Sequence, residues 1–410
     1  EGTGSVLPAR AAAGTPAEIE NRFYRVKVDP VRGGISSIYD KQLDRELVDR
    51  NSPYALAQYV YAAYGHPGES LICQRTVLGS TLLSYSTALP RPNLVISTAT
   101  DGEITAVESA AWGLRLVLRS AEPHTPSIET EIRLFDDRKQ IDLIVTIVKN
   151  VVHAPEGVYL AFPFLAERPT IRYEIQNGWV DPSRDQLPGA NKEWFSAQHW
   201  ISVTGAGHDI VLALDAAPLF TIGDIVRGRW PKELTVRDGT IFSYIMNNYD
   251  GDDENPFQGG AFNFRFSLTS DEQWDPVRAT RFGRERNIAL ETNTSLAFRD
   301  RREDSSGVLS SAPTSFLDID SSAVMLCAFK GAEDGDGYLL RVYNSTGEAV
   351  AATIRFPAFR FDQVCRTNAI EMSEEPLTSG GEELRVSMRP HEIQSLRIRG
   401  FRLRQEEGVR

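Results

Sequence analysis

Cysteine is scarce in this chain, with three residues in 410 (Cys73, Cys327 and Cys365), so the three cannot all pair with one another. None stands in a CxxC or Cys/His ligand spacing, which removes the usual signatures of a zinc module or a disulfide framework. They read as buried or half-buried free thiols, since cysteine packs as a small hydrophobe. Histidine is thin too: His66, His124, His153, His199, His208 and His391 are scattered singly, without a second His or an Asp at ligand spacing. His208-Asp209 comes nearest, and a hairpin turn after Gly205-Ala206-Gly207 accounts for it. No apolar run approaches the ~20 residues that cross a bilayer. No segment keeps a 3.6-residue apolar period for three turns, so helices are expected to be few and short. Basic patches are missing as well. A net charge of −12 with nothing basic to offset it argues against nucleic acid or an anionic membrane as partner and fits a solubility role. No repeat period is evident. The start, Glu1-Gly2-Thr3-Gly4-Ser5, has neither Met nor a signal pattern, so the sequence reads as an excised piece or a processed product, and its compartment is not legible.

An apolar fraction of 41% with 24% charged residues is enough for a sizeable core. The length suggests two or three domains of roughly 100–200 residues. Residues 1–18 are Ala, Gly, Pro and Thr with little to bury and read as a flexible lead-in. From Ile19 the pattern turns to strands. Tyr24, Val26 and Val28 alternate with Phe23, Arg25, Lys27 and Asp29, and a turn at 30–34 leads into Ile35 to Asp40, a hairpin signature. Similar runs recur at 94–99, 113–120, 128–135, 141–149, 157–164, 170–175, 200–203 and 210–214, and again at 241–246 and 261–268. Without βαβ spacing they predict an all-β fold of packed antiparallel sheets. Roughly 280 residues of such strands suit a large sandwich over 19–300. A polar linker (301–311) precedes a second strand set at 324–329, 338–343, 351–356, 383–388 and 393–399, expected to form a smaller C-terminal β-sandwich or sheet over 301–410.

The most informative stretch is 241–268. Phe262, Phe264, Phe266 and Leu268 put four large apolar side chains on one strand face. The preceding loop carries Asn247, Asn248, Tyr249 and Gln258, amide and hydroxyl groups of the kind that read sugar hydroxyls. This stretch resembles the C-terminal β-domain of family 38 glycoside hydrolases, the zinc-dependent α-mannosidases, of bacterial type. The matching residues are Met246-Asn247-Asn248-Tyr249, Gln258-Gly259-Gly260 and Phe264-Arg265-Phe266, whereas Asp250 stands where the family has Trp, and Gly251 to Asn255 depart from the pattern. Further matches run in order along the chain: Gly33-Gly34-Ile35 to Lys41, Ala161-Phe162-Pro163-Phe164, Asn177-Gly178, Leu187-Pro188-Gly189-Ala190, Gln198-His199-Trp200, Asp215-Ala216-Ala217-Pro218-Leu219, Tyr338 to Asn344 and Pro390 to Leu396.

The resemblance implies a galactose-mutarotase-like supersandwich. It also implies that catalysis resides elsewhere. In the family, a carboxylate nucleophile and a Zn²⁺ held by Asp and His sit in an N-terminal barrel followed by a helical bundle, which this chain does not resemble. No catalytic or metal-binding residue is therefore assigned here. The expected partners are that barrel and helical domain, a carbohydrate, and further copies of the enzyme in a homo-oligomer. Candidate sugar contacts are Asn247, Asn248, Gln258, Asn177 and Tyr59. Each has a structural alternative: a turn for Asn177 and the asparagine pair, and a core or cross-strand aromatic for Tyr59. Trp179, Trp194, Trp200 and Trp230 are sugar platforms or, more commonly in a sandwich of this size, core anchors. The loop 250–255 is a solvated turn or a weak Ca²⁺ site without EF-hand spacing. Asn293-Thr294-Ser295 and Asn344-Ser345-Thr346 fit the glycosylation sequon. Two other functions stay open at this point: a freestanding, non-catalytic carbohydrate-binding or scaffolding protein, and a mutarotase-like epimerase, which needs a His and a Glu converging on one sheet face.

Overall fold

The computed structural model describes residues 17–63, 74–78, 80–84, 94–225, 231–248, 257–290 and 315–403. The expected lead-in (apart from its last two residues), the linker 301–311, the loop 250–255, Tyr249, Trp230, Cys73, His66 and the Asn293 sequon lie outside these residues. The chain forms two compact units. The first runs to Asn287 except for two short excursions (176–178 and 276–278), and the second holds those excursions and everything after Asn287.

In the first unit a nine-stranded antiparallel sheet runs in the order Gly178–Val180, Thr170–Ile175, Trp200–Gly205, His208–Asp215, Gly260–Asp271, Ile141–Lys149, Thr125–Phe135, Gly113–Glu122, Thr100–Ala110. A six-stranded sheet, ordered Phe195–Ser196, Leu219–Ile222, Gly239–Asn247, Glu156–Phe164, Gln58–Ala63, Val95–Thr98, supplies the other layer. A four-stranded sheet over residues 18–46 joins it, linked by the bridges Ile35 to Leu56 and Val48 to Phe164. One continuous core fills the space between. The alternation read from the sequence sets the pairing: Leu143 lies opposite Phe266 and Val145 opposite Phe264, all turned inward, while Asp142, Ile144 and Arg265 turn out. Glu156–Phe164 is buried at every position. Its two faces serve the main core (Val158, Leu160, Phe162) and a second cluster (Tyr159, Ala161, Phe242, Tyr244). A strand covered on both sides reads as a continuous apolar run, as this one does.

Several first-unit elements were not read from the sequence, among them Gln58–Ala63, Leu219–Ile222, Thr100–Ala110 and the helix Pro276–Asn287. Thr100–Ala110 is too polar to read as a strand, and only Ile104 of its larger apolar residues is buried. It is an edge strand held by backbone pairing to Gly113–Glu122, so it needs little apolar surface. The one described α-helix, Pro276–Asn287, faces the core with small residues only: Ala279, Thr280 and Gly283. Asp275 and Pro276 stand at its start, as a cap and a first-turn proline should. It packs on Trp200 and Val211, with Trp179, Trp274 and Phe282 alongside. Arg172 lies over Trp274 at 4.9 Å. Trp200 is thus a core anchor, fully buried.

A Cβ on Gly283 would sit 2.6 Å from Trp200 Cδ1, a ring with no room to move. Gly283→Ala gains up to ~1 kcal/mol of helix propensity but overpacks at ~1–3 kcal/mol. The expected outcome is a net loss on the order of 1 kcal/mol in urea unfolding.

The second unit is a small sandwich. One sheet pairs Asp318–Ile319, Val350–Arg355 and Glu383–Met388, and the other orders Val324–Gly331, Tyr338–Asn344, Ile393–Arg399, Phe359–Thr367 and Glu374–Gly381, with Arg402–Leu403 paired to Phe359–Thr367. Leu340, Val342, Ile354, Phe361, Val386 and Leu396 form its core. Cys365 is buried and Cys327 half-buried, both as free thiols. Asn344 of the second sequon is fully buried, and its amide donates to Glu348 O and Arg389 O.

A charged network lines one face of this unit. Arg397 Nη1 lies 2.6 Å from Asp334, Arg399 Nη2 2.6 Å from Glu374, and Lys330 Nζ 2.9 Å from Glu371. Hydrogen bonds from Arg399 to Glu374 and from Arg397 to Asp334 hold both carboxyls below their usual values of 4.5 and 3.8, and the Glu333 amide does so for Glu371. A carboxyl depressed by folding stabilises the native state above its unfolded pKa, and that contribution vanishes as pH falls through the folded value. The Tm of this unit is therefore expected to hold from pH 7 to about pH 5 and to fall below that, less steeply in high salt. Calorimetry across that range checks it.

Candidate functional site: a polar rim at one end of the first unit

Five strand ends come level at one end of the first unit. Lys149 pairs with Gly260, and Gly157 pairs with both Asn247 and Ala62. The turn between Glu122 and Thr125 joins them, since Asn150 N donates to His124 O at 2.8 Å.

The base of this rim is a buried charge pair. Lys149 Nζ lies 2.5 Å from Glu156 Oε1, with side-chain exposures of 0% and 4%. The ammonium also donates to Asn150 O at 3.0 Å and Gln258 O at 3.3 Å, so one cation joins three chain segments. Asn248 ties the same loops. Its Oδ1 accepts from Glu156 N at 2.5 Å, and its Nδ2 donates to Val152 O and Ala154 O at 3.0 and 2.9 Å. Beside them His124 stacks on Tyr61, with ring centroids 4.1 Å apart and planes 10° from parallel. Glu122 accepts from Ser97 Oγ at 2.7 Å and from His124 N at 2.8 Å, and lies 3.0 Å from His124 Nδ1. Burial first, then the Glu156 carboxylate, push the Tyr61 phenol far above its usual range, so it stays a hydrogen-bond donor.

The rim gathers four of the five sugar-contact candidates, in unlike roles. Asn247 and Gln258 are exposed on it. Asn248 is buried and spent on backbone groups, so it is a strut and leaves the contact set. Tyr59 leaves it too: it is fully buried and shares a 2.6 Å hydrogen bond with Thr125 Oγ1. Asn177 is counted in the second unit and holds φ +57°, the turn geometry asparagine tolerates.

Lys149, Glu156, Tyr61, Glu122 and His124 were not singled out from the sequence. Lys149 carried a readable signal, because it continues the inward row Ile141, Leu143, Val145, Ile147. A charge at an inward position calls for a buried partner. Glu156, which heads an apolar strand, gave no hint that it was that partner.

Chemically, the rim can hydrogen-bond a polar ligand; Glu122 and Glu156 Oε1 are engaged internally, while Glu156 Oε2 is buried without a hydrogen-bond partner among the described residues. Among the described residues no group of three or more His, Cys, Asp or Glu is placed to hold a metal ion.

Comparisons with known proteins bear on this geometry. "Glycosyl hydrolases family 38 C-terminal domain" matches residues 19–217, and "Glycosyl hydrolases family 38 C-terminal beta sandwich domain" matches residues 323–396. Among curated protein sequences none matches. An alpha-mannosidase from Enterococcus faecalis V583 is structurally similar with a TM-score of 0.66 at 15% identity, covering 94% of this chain and 42% of that one. A protein in glycosyl hydrolase family 38 from Enterococcus faecalis gives 0.63 at 16% identity, over 94% of this chain and 44% of its own. This chain therefore spans less than half the length of either, and at that identity the likeness is one of fold. A galactose mutarotase related enzyme from Lactobacillus acidophilus, at 12% identity, reaches a TM-score of 0.33. With these two domain matches together covering about two thirds of its length, the chain belongs to the C-terminal β-region of the family 38 glycosyl hydrolases.

Proposed function

We propose that this chain is the β-sandwich region of an α-mannosidase-like glycoside hydrolase, and that its polar rim forms one wall of the sugar site completed by a catalytic barrel. One observation carries the reading. Asn247 and Gln258 are exposed on loops that Lys149 and Asn248 hold rigidly from beneath, which is how a binding wall is preorganised. Exposed primary amides offer paired donor and acceptor groups to vicinal hydroxyls. The nucleophile and acid/base carboxyls of retaining hydrolysis, about 5 Å apart, and the zinc belong to the barrel in this reading. The similarity to an alpha-mannosidase favours α-mannosides as substrates.

The test is hydrolysis of an aryl α-mannoside with added zinc, by this chain alone and together with a family 38 catalytic barrel. Turnover is expected only in the second case. Chelator-sensitive turnover by the isolated chain overturns the reading.

A further inference from the structure

The outer face of the nine-stranded sheet carries a ladder of cross-strand ion pairs. Arg115 meets Glu108 at 3.0 Å and Glu131 at 2.9 Å, Arg119 meets Glu129 at 2.9 Å, and Arg133 meets Glu131. Opposite charges facing across strands stabilise a solvated sheet face in this way. The ladder breaks at a cleft of about 290 Å³ under the last turn of the helix Pro276–Asn287, lined by Arg133, Asp142, Asp215, Arg265, Glu285 and Arg286 among others.

Within the cleft the pattern reverses. Asp215 and Arg265 face each other in register, yet among the described residues no salt bridge joins them. Arg265 Nε reaches only Asn263 Oδ1, at 3.3 Å. Arg286 Nε is buried with no acceptor among the described residues. Asp215 and Arg265 could have paired and are instead held apart around a shared space, beside Arg133, which is bound to Glu131, and Asp142, which accepts from Gln140 and Ser267.

The lining selects its ligand by exclusion. Three guanidinium groups oppose a cation, three carboxylates oppose an anion, and an apolar ligand would strip water from all six. A neutral polyol meets none of these penalties. Its vicinal hydroxyls accept from the fork of a guanidinium and donate to the two oxygens of a carboxylate. The volume sits at the low end of the ~300–1,000 Å³ typical of small-molecule pockets, room for one ring rather than a chain. We propose that this cleft is a second saccharide site, taking a single neutral sugar ring on the outer sheet face, distinct from the rim at the strand ends. The inference does not rest on the function proposed for the rim.

The test is saturation-transfer NMR on this chain with methyl α-mannoside, methyl α-glucoside and methyl α-galactoside. An arginyl-glutamate dipeptide and inorganic phosphate serve as charged probes. At least one glycoside is expected to bind with Kd on the order of 1–10 mM. Asp215→Asn and Arg286→Gln should each weaken it about 10-fold with Tm unchanged, and Arg119→Gln, on the ladder outside the cleft, should leave it intact. Three results overturn the proposal: no glycoside binds, the dipeptide or phosphate binds instead, or glycoside binding survives both cleft substitutions. Loss of binding with Asn247→Ala alone would move the sugar to the rim and also defeat it.

Discussion

Lys149→Met should lower the unfolding free energy by about 3–5 kcal/mol, because it leaves the Glu156 carboxylate buried without its counter-ion. Both side chains are almost fully withdrawn from solvent, so screening by water does little to soften the loss. Methionine matches the lysine stem in length, which isolates the charge from the packing. The double substitution Lys149→Met, Glu156→Leu should recover part of the loss, since an apolar pair of similar volume replaces a buried ion pair at little cost. Recovery should stay incomplete because Asn150 O and Gln258 O still lose their donor. Urea unfolding of the three variants measures this directly. A single variant as stable as the parent would show that the ammonium and carboxylate are solvated in solution.

The second large effect separates two neighbouring asparagines. Asn248→Ala strands the Glu156 amide and the carbonyls of Val152 and Ala154. At ~1–3 kcal/mol for each buried group left without a partner, and with some rehydration, a loss of about 3 kcal/mol is expected. Exposed Asn247 makes no such bonds among the described residues, so Asn247→Ala should fall within about 0.5 kcal/mol of the parent. Hydrogen exchange at the Glu156 amide gives a local readout: protection should drop in the Asn248 variant and persist in the Asn247 variant.

Where one face is buried, the fold was legible in the sequence. Ile141–Lys149, Thr170–Ile175, Glu383–Met388 and Ile393–Arg399 coincide with the expected runs, because period-two alternation is itself the packing instruction. Elements held by other forces were not legible. The edge strand Thr100–Ala110 depends on backbone pairing, and the helix Pro276–Asn287 buries Ala and Gly against tryptophans contributed by other segments. The second-unit strands Phe359–Thr367 and Glu374–Gly381 also escaped, the latter with a Glu- and Gly-rich sequence that pairs along an edge.

For the candidate site, the sequence singled out one loop but not the division of labour within it. Asn247, Asn248 and Gln258 do share one rim, yet adjacent positions on a strand end face opposite ways, so one amide faces solvent and the next faces the interior. Tyr59 and Tyr61 lie two apart on one strand, turned to the same core, and only the structure shows Tyr61 reaching the His124 and Glu156 cluster. The pairing of Lys149 with Glu156 depends on how the loop between two sheets closes, which no local pattern encodes.

The central claim is that the rim touches sugar in the assembled hydrolase, and steady-state kinetics of that assembly with Asn247→Ala and Gln258→Ala combined tests it most directly. Two lost hydrogen bonds at ~1 kcal/mol each predict a KM for an aryl α-mannoside raised about 10-fold or more, with kcat and Tm unchanged. An unchanged KM, or a KM that rises only in step with a falling Tm, would contradict the account.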